Sequence, residues 1–298
     1  MRTISIGTMT IDRVVEQGRF LFRPEWLFPR IDAATAMRYA ERLGPALIDP
    51  DSRGLVLSFH SFLLRTRHHT ILVDTCNGNH KHRPGVPWQH MRGEETYLAN
   101  LARFGVRPDE IDYVLCTHLH GDHVGWNTRL VDGRWVPTFP KARYLMAQQD
   151  YEHFGRNATG PSGQPFHLSF ADSIEPVVAA GRAELVEIAG AERHAIEDGV
   201  WLEAAPGHTP GHVVLHAKGA GGRAVICGDV IHHPIQFAEP QLVNGGDADP
   251  AMAQRTRRDL LAATAADHAV LLTAHFPDPT AGYVLPAGDG FTFEFRQA

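Results

Sequence analysis

Apolar positions along this chain fall in short runs stopped by turn residues, interrupted by segments with helical spacing. Residues 4–7 and 11–15 predict an opening hairpin. Residues 22–51 form a polar, proline-broken stretch. Residues 55–64 and 70–74 read as two strands joined by a hairpin-length link, the second a β-branched run that stops at Asp74. Residues 77–93 are a loop rich in His, Gly, Pro and Asn. Leu98, Leu101 and Phe104 share one face of a helix over 94–104, and Gly105 stops it. A one-turn helix at 108–112 leads into a strand at 113–117. Strands follow at 135–137 and 142–146, then a helix at 147–154, a loop at 157–165 and a helix at 170–180. Further strands are predicted at 183–188, 200–204, 213–217 and 224–227, a last helix at 250–267, and a strand at 270–273 leading into His275. Strands then a helix, twice over, predict two similar halves in a layered α/β arrangement, within a single domain spanning 1–298.

Composition changes this picture little. A chain of 298 residues buries a sizeable core without disulfides. Cys76, Cys116 and Cys227 form an odd, sparse set, each in or beside an apolar run, and are expected to be small buried hydrophobes. The formal net charge of -6, with no basic block, argues against a nucleic-acid partner. Residues 1–10 lack the pattern of a secretory leader, and no apolar run approaches the ~20 residues that span a bilayer. A cytoplasmic protein without a membrane partner is the expectation. The chain has 19 histidines, and it is their placement that carries chemistry.

His118-Leu119-His120-Gly121-Asp122-His123 offers four candidate ligands within six residues, directly after a strand. Neutral imidazole and carboxylate suit zinc and similar first-row ions. Alternate residues on an extended turn project to one side, so His118 and His120 can share one ion. Gly121 lets the chain turn, so that Asp122 and His123 reach a second. Three more strand ends present a matching group: Pro206-Gly207-His208-Thr209-Pro210-Gly211-His212, Cys227-Gly228-Asp229 and Thr273-Ala274-His275. Functional groups at strand ends of a rigid sheet are where α/β sites form.

This ordered set resembles the metallo-β-lactamase superfamily, from the early hairpins and Leu72-Val73-Asp74-Thr75 through His275. The resemblance implies an α/β fold of the four-layer αβ/βα sandwich type, with the site at one edge of the paired sheets. It implies two zinc ions per chain, with iron, manganese or cobalt as alternatives. The first would be held by His118, His120 and His208, the second by Asp122, His123 and His275, with Asp229 bridging. Asp74 resembles the family's structural acid, which orients the site loop without touching metal. His212 reads either as a turn-stabilising imidazole or as a support for the ligands. His120 stands where the flavodiiron branch has an acid, and Asp229 where antibiotic-hydrolysing zinc enzymes carry Cys, so neither branch fits.

The implied chemistry is attack of a metal-bridging hydroxide on a lactone or carboxylic ester carbonyl, with Asp122 moving a proton. The His208 segment resembles that of acyl-homoserine-lactone lactonases. Those enzymes place Tyr three residues after the bridging Asp, where this chain has His232, in a stretch more like methyl-parathion-hydrolase-type enzymes. His232 is the candidate donor to a substrate oxygen. Organophosphate, phosphotriester or thioester hydrolysis is the alternative on the same fold. A single-iron persulfide-type oxidoreductase and a non-catalytic metal-binding module are the alternatives of another class. Phe59-His60-Ser61-Phe62 reads as a chance neighbour pair, and no Gly-x-Ser-x-Gly is present. The C-terminal residues 291–298 offer only Arg296, too little for the basic patch of glutathione thioesterases. Trp126, Phe139, Phe237 and Phe276 flank ligand segments and are candidates for an apolar acyl or aryl pocket, with core packing the ordinary role for each. The expected partner is a small-molecule lactone or ester, and a homodimer is an option.

Overall fold

The opening hairpin forms as expected in the computed structural model, which describes residues 1–161, 163, 165–188, 190 and 192–296. Residues 162 and 164 of the predicted loop 157–165, and the last two residues of the C-terminal segment, lie outside the described residues. The first half of the chain supplies β1 (Ile4–Ile6), β2 (Met9–Phe22), β3 (Leu55–Arg65), β4 (Thr70–Val73) and β5 (Tyr113–Leu115). A separate two-stranded ribbon, β6 (Thr128–Val131) with β7 (Arg134–Pro137), precedes β8 (Arg143–Ala147) and β9 (Ala183–Val186). The first seven-stranded sheet has the order β1-β2-β3-β4-β5-β8-β9. The second runs in chain order through β10 (Arg193–Glu197), β11 (Val200–Ala204), β12 (Val213–Gly219), β13 (Gly222–Ile226), β14 (Val270–Leu272), β15 (Gly282–Ala287) and β16 (Gly290–Phe295).

The two sheets pack face to face. Ile11, Phe62, Leu64, Ile71, Val73 and Leu115 of the first share one core with Leu202, Leu215, Ile226 and Leu272 of the second. Alternation puts Leu57, Phe59, Leu63, Leu72 and Val114 on the opposite face, against Tyr97 and Leu101 of helix Thr96–Arg103. This explains why β3 reads as nearly continuous apolar sequence: both of its faces are covered. The outer face of the second sheet, with Val214, Val225 and Leu271, packs on Leu261 of helix Pro250–Ala266. Four layers result, and the metallo-β-lactamase fold predicted by resemblance is the fold observed. No helix among the described residues is long and apolar enough to cross a membrane.

Several elements lie outside the predicted set. Helix Ala33–Leu43 occupies the stretch read as polar and broken, started by Asp32, whose carboxylate accepts from the Thr35 amide at 2.6 Å, and stopped at Gly44 with φ 73°. Strands β6, β10, β15 and β16 and the short helices Pro24–Leu27 and Ile235–Ala238 are others. β15 contains Pro286, tolerated because β14 pairs only as far as Tyr283, leaving Pro286 with β16 alone. The helix expected at 170–180 begins earlier, at Phe166, and passes through a π-helical turn, Phe170–Ile174.

That turn fastens the loop 77–93. Arg83 forks onto both carboxylate oxygens of Asp172 at 2.7 Å each, and both side chains are buried. Lys81 lies beside them, donating to Thr128 Oγ1 at 2.6 Å, with its ammonium 3.6 Å from the centre of the Trp135 ring. Burial pushes the Lys81 pKa down to about 7, with Asp172 opposing. At the start of the loop, buried Glu16 accepts from the Asn77 and Gly78 amides and from Trp126 Nε1. A stretch with no periodicity in sequence is thereby held rigidly over the edge of the first sheet.

Candidate metal centre

The site forms where strands of both sheets end on the same side. Asp74 follows β4 and His118 follows β5, while Asp229 and His275 follow β13 and β14, all four strands being paired in parallel with their neighbour. The sheets are stitched together at this edge by main-chain bonds from Val213 N to Thr117 O and from Ser58 N to His275 O, both 2.9 Å. Two glycines permit the close approach. A Cβ on Gly125 would lie 1.9 Å from Asn77 O. Gly228 has φ +50°, and a Cβ there would meet His212 Nε2 at 2.7 Å.

All seven predicted ligands converge in two groups. His118, His120, His208 and Asp229 form one, and Asp122, His123 and His275 the other. His120 Nδ1 is 2.9 Å from both His118 Nε2 and His208 Nε2. Asp229 joins the two groups with one oxygen each. Its Oδ2 lies 3.3 Å from His208 Nε2 and 3.7 Å from His118 Nε2. Its Oδ1 lies 3.0 Å from His275 Nε2 and 3.3 Å from His123 Nε2. Asp122 Oδ2 stands 3.9 Å from His123 and His275 Nε2.

Metal ions fit this donor set. His123 Nε2 and Asp229 Oδ1 are buried without a hydrogen-bond partner, a costly state unless a cation serves them. Burial, then neighbouring His123 and His208 respectively, holds His118 and His120 well below the ordinary histidine pKa, so both are neutral and have a lone pair to give. In the other group burial is outweighed: Asp229, Asp74 and Asp122 hold His123 high, and Asp229 does the same for His275. The buried carboxylates thus call for positive charge, which a divalent ion supplies.

The surrounding contacts orient the ligands. Asp74, at φ 59°, accepts from Thr117 N at 2.7 Å, Thr117 Oγ1 at 2.8 Å and His123 Nδ1 at 2.9 Å. It touches no other ligand group by hydrogen bond, in line with the orienting acid expected from sequence. His212 is buried outside both groups, and its Nε2 accepts the Asp229 amide at 3.0 Å. Of the two readings of His212, support for a ligand is the one this geometry favours. His275 Nδ1 meets Ser58 O at 3.2 Å.

Two supporting acids escaped sequence reading. Asp247 Oδ1 holds His208 Nδ1 at 2.8 Å, while its Oδ2 accepts the Asn244 amide. Its only local signal is a Gly/Asn/Asp turn, 39 residues from His208. Asp150 accepts from Gly211 N at 2.6 Å and Thr209 Oγ1 at 2.8 Å, tying helix Gln148–Arg156 to the His208 loop. Burial raises its pKa to about 6, against those hydrogen bonds. Replacing Asp247 with Ala should weaken metal retention about 10- to 100-fold, read by chelator competition, while unfolding stays cooperative.

A cavity of about 340 Å³ opens over the cluster. His120, Asp122, His208, Asp229, His232 and His275 form its polar floor. His232 is buried there, with Nε2 3.1 Å from Asp229 Oδ2 and its ring stacked on His275 at 5.9 Å. Trp126, Phe139, Phe237 and Phe276 do not line it; all four are core residues, because their strand ends face the helical layers. The apolar wall comes instead from Phe22, Trp26, Leu57, Phe59 and Trp88. His60 and Ser61 do not form a catalytic pair: His60 Nδ1 contacts Ser58 Oγ at 2.6 Å, and Ser61 Oγ contacts Tyr97 OH at 2.7 Å. The three cysteines are buried free thiols, as expected.

Paired sheets with two adjoining His/Asp half-sites, linked by one carboxylate at their common edge, define a metal-binding α/β class. The sequence pattern of the metallo-beta-lactamase superfamily matches residues 57–275, and the chain belongs to that superfamily, the class of metal-dependent hydrolases its motif order resembles. An N-acyl homoserine lactonase of Bacillus sp is 26% identical over 166 residues, covering 52% of this chain and 56% of that protein. N-acyl homoserine lactonase AiiA of Bacillus thuringiensis subsp. kurstaki is 25% identical over 209 residues, covering 66% of this chain and 73% of that protein. The match to the Bacillus sp protein thus spans little more than half of its length. Among solved structures, AidC, a dizinc quorum-quenching lactonase in complex with a product, superposes with a TM-score of 0.80 at 19% identity, over 100% of this chain and 97% of AidC. The hydrolase AbOPH of the beta lactamase superfamily gives 0.81 at 23% identity, over 99% and 97%. Both likenesses concern the fold.

Proposed function

We propose that the protein is a dinuclear zinc hydrolase that opens lactones or cleaves carboxylic esters. The observation that carries this reading is the division of Asp229, one oxygen toward His118 and His208 and the other toward His123 and His275, beneath an open cavity. His118, His120 and His208 would hold one ion, Asp122, His123 and His275 the other, and Asp229 both. When bound, two such ions supply Lewis acidity toward a carbonyl oxygen and a nucleophilic water at neutral pH.

The chain's own residues then orient and exchange protons. Asp122 lines the cavity with its carboxylate partly open, placed to take a proton at Oδ2 and pass it to the departing alkoxide. His232, on the cavity floor with Nε2 toward Asp229 Oδ2, is the candidate donor to a substrate oxygen. Asp74 and Asp247 keep His123 and His208 in the tautomer that presents Nε2 inward. The relatives named as lactonases support a lactone as the substrate.

Elemental analysis of purified protein should return about two zinc ions per chain. A panel of lactones, aryl esters, thioesters and phosphotriesters should show turnover of the first two, abolished by chelation and restored by zinc. Full activity in metal-free protein, or exclusive turnover of phosphotriesters, would refute the proposal.

A further inference from the structure

We infer that Trp26, Trp88 and Phe22 form a recognition wall for a flat aromatic arm on an electrically neutral substrate. This rests on the hydrolase reading of the same cavity and goes on to the part of the substrate that does not react. The wall is a continuous series of rings running outward from the metal cluster. Phe59 meets the His275 ring edge-on at 5.5 Å, and Phe20 meets Phe59 at 6.0 Å. Trp88 lies 5.9 Å from Phe20 and 4.8 Å from Phe22, edge to face with the latter. Trp26 follows at 6.4 Å, tilted by 36° to Trp88. Phe22, Trp26, Phe59 and Trp88 all line the cavity, so one end of the series touches the reacting site and the other reaches solvent.

Trp26 is 53% exposed although its neighbours are large aromatics, which leaves an apolar face open at the cavity mouth. The position of Trp88 is set by the buried Arg83–Asp172 fork at the base of its loop, so this face is preformed. No Lys or Arg side chain is found among the described cavity-lining residues, whereas Asp122 and Asp229 are. Arg23, the cation stacked on Trp26 at 5.4 Å, is engaged by Glu25 at 2.8 Å. An acidic arm would find no partner here, and the polar groups on the walls, Gln89 and Asn244, are neutral amides. Rings inclined to one another present both edges and faces, which attract a further aromatic ring beyond what area alone provides and do nothing extra for a saturated chain.

The test uses γ-butyrolactones that share one reacting ring and carry a benzyl, cyclohexylmethyl, hexyl or carboxymethyl arm, or none. Zinc-loaded wild type should favour benzyl over cyclohexylmethyl by about fivefold or more in kcat/KM, with carboxymethyl poorest. Trp88→Ala should lower kcat/KM for the benzyl lactone about tenfold, mostly through KM, and lower that of the unsubstituted lactone much less. Trp88→Phe should recover most of the benzyl preference. Trp26→Ala, at an exposed position, should reduce the same preference and keeps the test open if Trp88→Ala does not fold. Binding of the benzyl γ-lactam, which resists hydrolysis, is followed by calorimetry and should weaken in parallel. Equal losses for every arm, no benzyl preference in wild type, or a preference for the acidic arm overturns the inference. Lactam binding that depends on Trp88 without turnover of any lactone or ester would support the wall and refute the hydrolase reading; turnover without arm preference would do the reverse.

Discussion

Replacing Asp229 with Ala is expected to lower kcat/KM by at least about a thousandfold, roughly 4 kcal/mol of transition-state stabilisation, and to cut bound zinc from two ions to one or fewer. The reason is geometric. Among the described residues no other side chain contributes an oxygen to both half-sites, with 3.3 Å to His208 on one side and 3.0 Å to His275 on the other. Its removal also leaves His123 without the largest of the three carboxylates that hold its imidazole well above the ordinary pKa, Asp74 and Asp122 remaining. Asp229→Asn tests charge apart from shape: it keeps one oxygen and should retain more metal than Ala while remaining nearly inactive. Metal content by elemental analysis and kcat/KM on the best lactone or ester are the readouts. Two ions and undiminished turnover in Asp229→Ala would remove the bridging assignment.

Replacing Arg83 with Ala is expected to destabilise the fold by about 3 kcal/mol, because it strands a buried carboxylate. Asp172 loses both arms of its fork and keeps the Ser173 hydroxyl at 2.7 Å and, as its one remaining cation, Lys81, whose ammonium is 3.6 Å away and whose protonation burial already disfavours. Urea unfolding should show a lower midpoint with an unchanged slope. The effect should reach the cavity as well, since Val86, Trp88 and Gln89 are carried by the same loop. Arg83→Lys should not rescue it, as an ammonium cannot span two carboxylate oxygens that a guanidinium meets at 2.7 Å each.

These two residues mark opposite ends of what a linear reading can reach. Asp229 was legible because it ends an apolar run and follows a Gly that the turn requires, and because three other strand ends present a His or Asp in the same way. Strand ends are positions a periodicity argument locates, and a layered sheet brings them to one edge. The strands of the two sheets and the order of the ligand segments followed from these local patterns, while the orienting role of Asp74 was implied by the resemblance.

Arg83 and Asp172 were not legible, nor were Asp150 and Asp247. Each acts across 39 to 89 residues of chain, and its partner lies on an element with which it shares no pattern. The same is true of the cavity wall. Sequence adjacency to the ligands suggested Trp126, Phe139, Phe237 and Phe276, yet sheet packing turns those rings into the cores. It brings in Phe22 and Trp26 from the far end of β2 and Trp88 from an aperiodic loop. The sequence by itself determined the fold class and singled out the seven candidate ligand side chains, through strand-end patterns, donor type and the resemblance of their order to one superfamily. Only the tertiary structure decided that Asp247 and Asp150 support the His208 loop, that Arg83 and Asp172 fasten the loop 77–93, and which aromatic rings line the cavity. Those depend on distances between segments remote in the chain, set by how the two sheets and their covering helices pack.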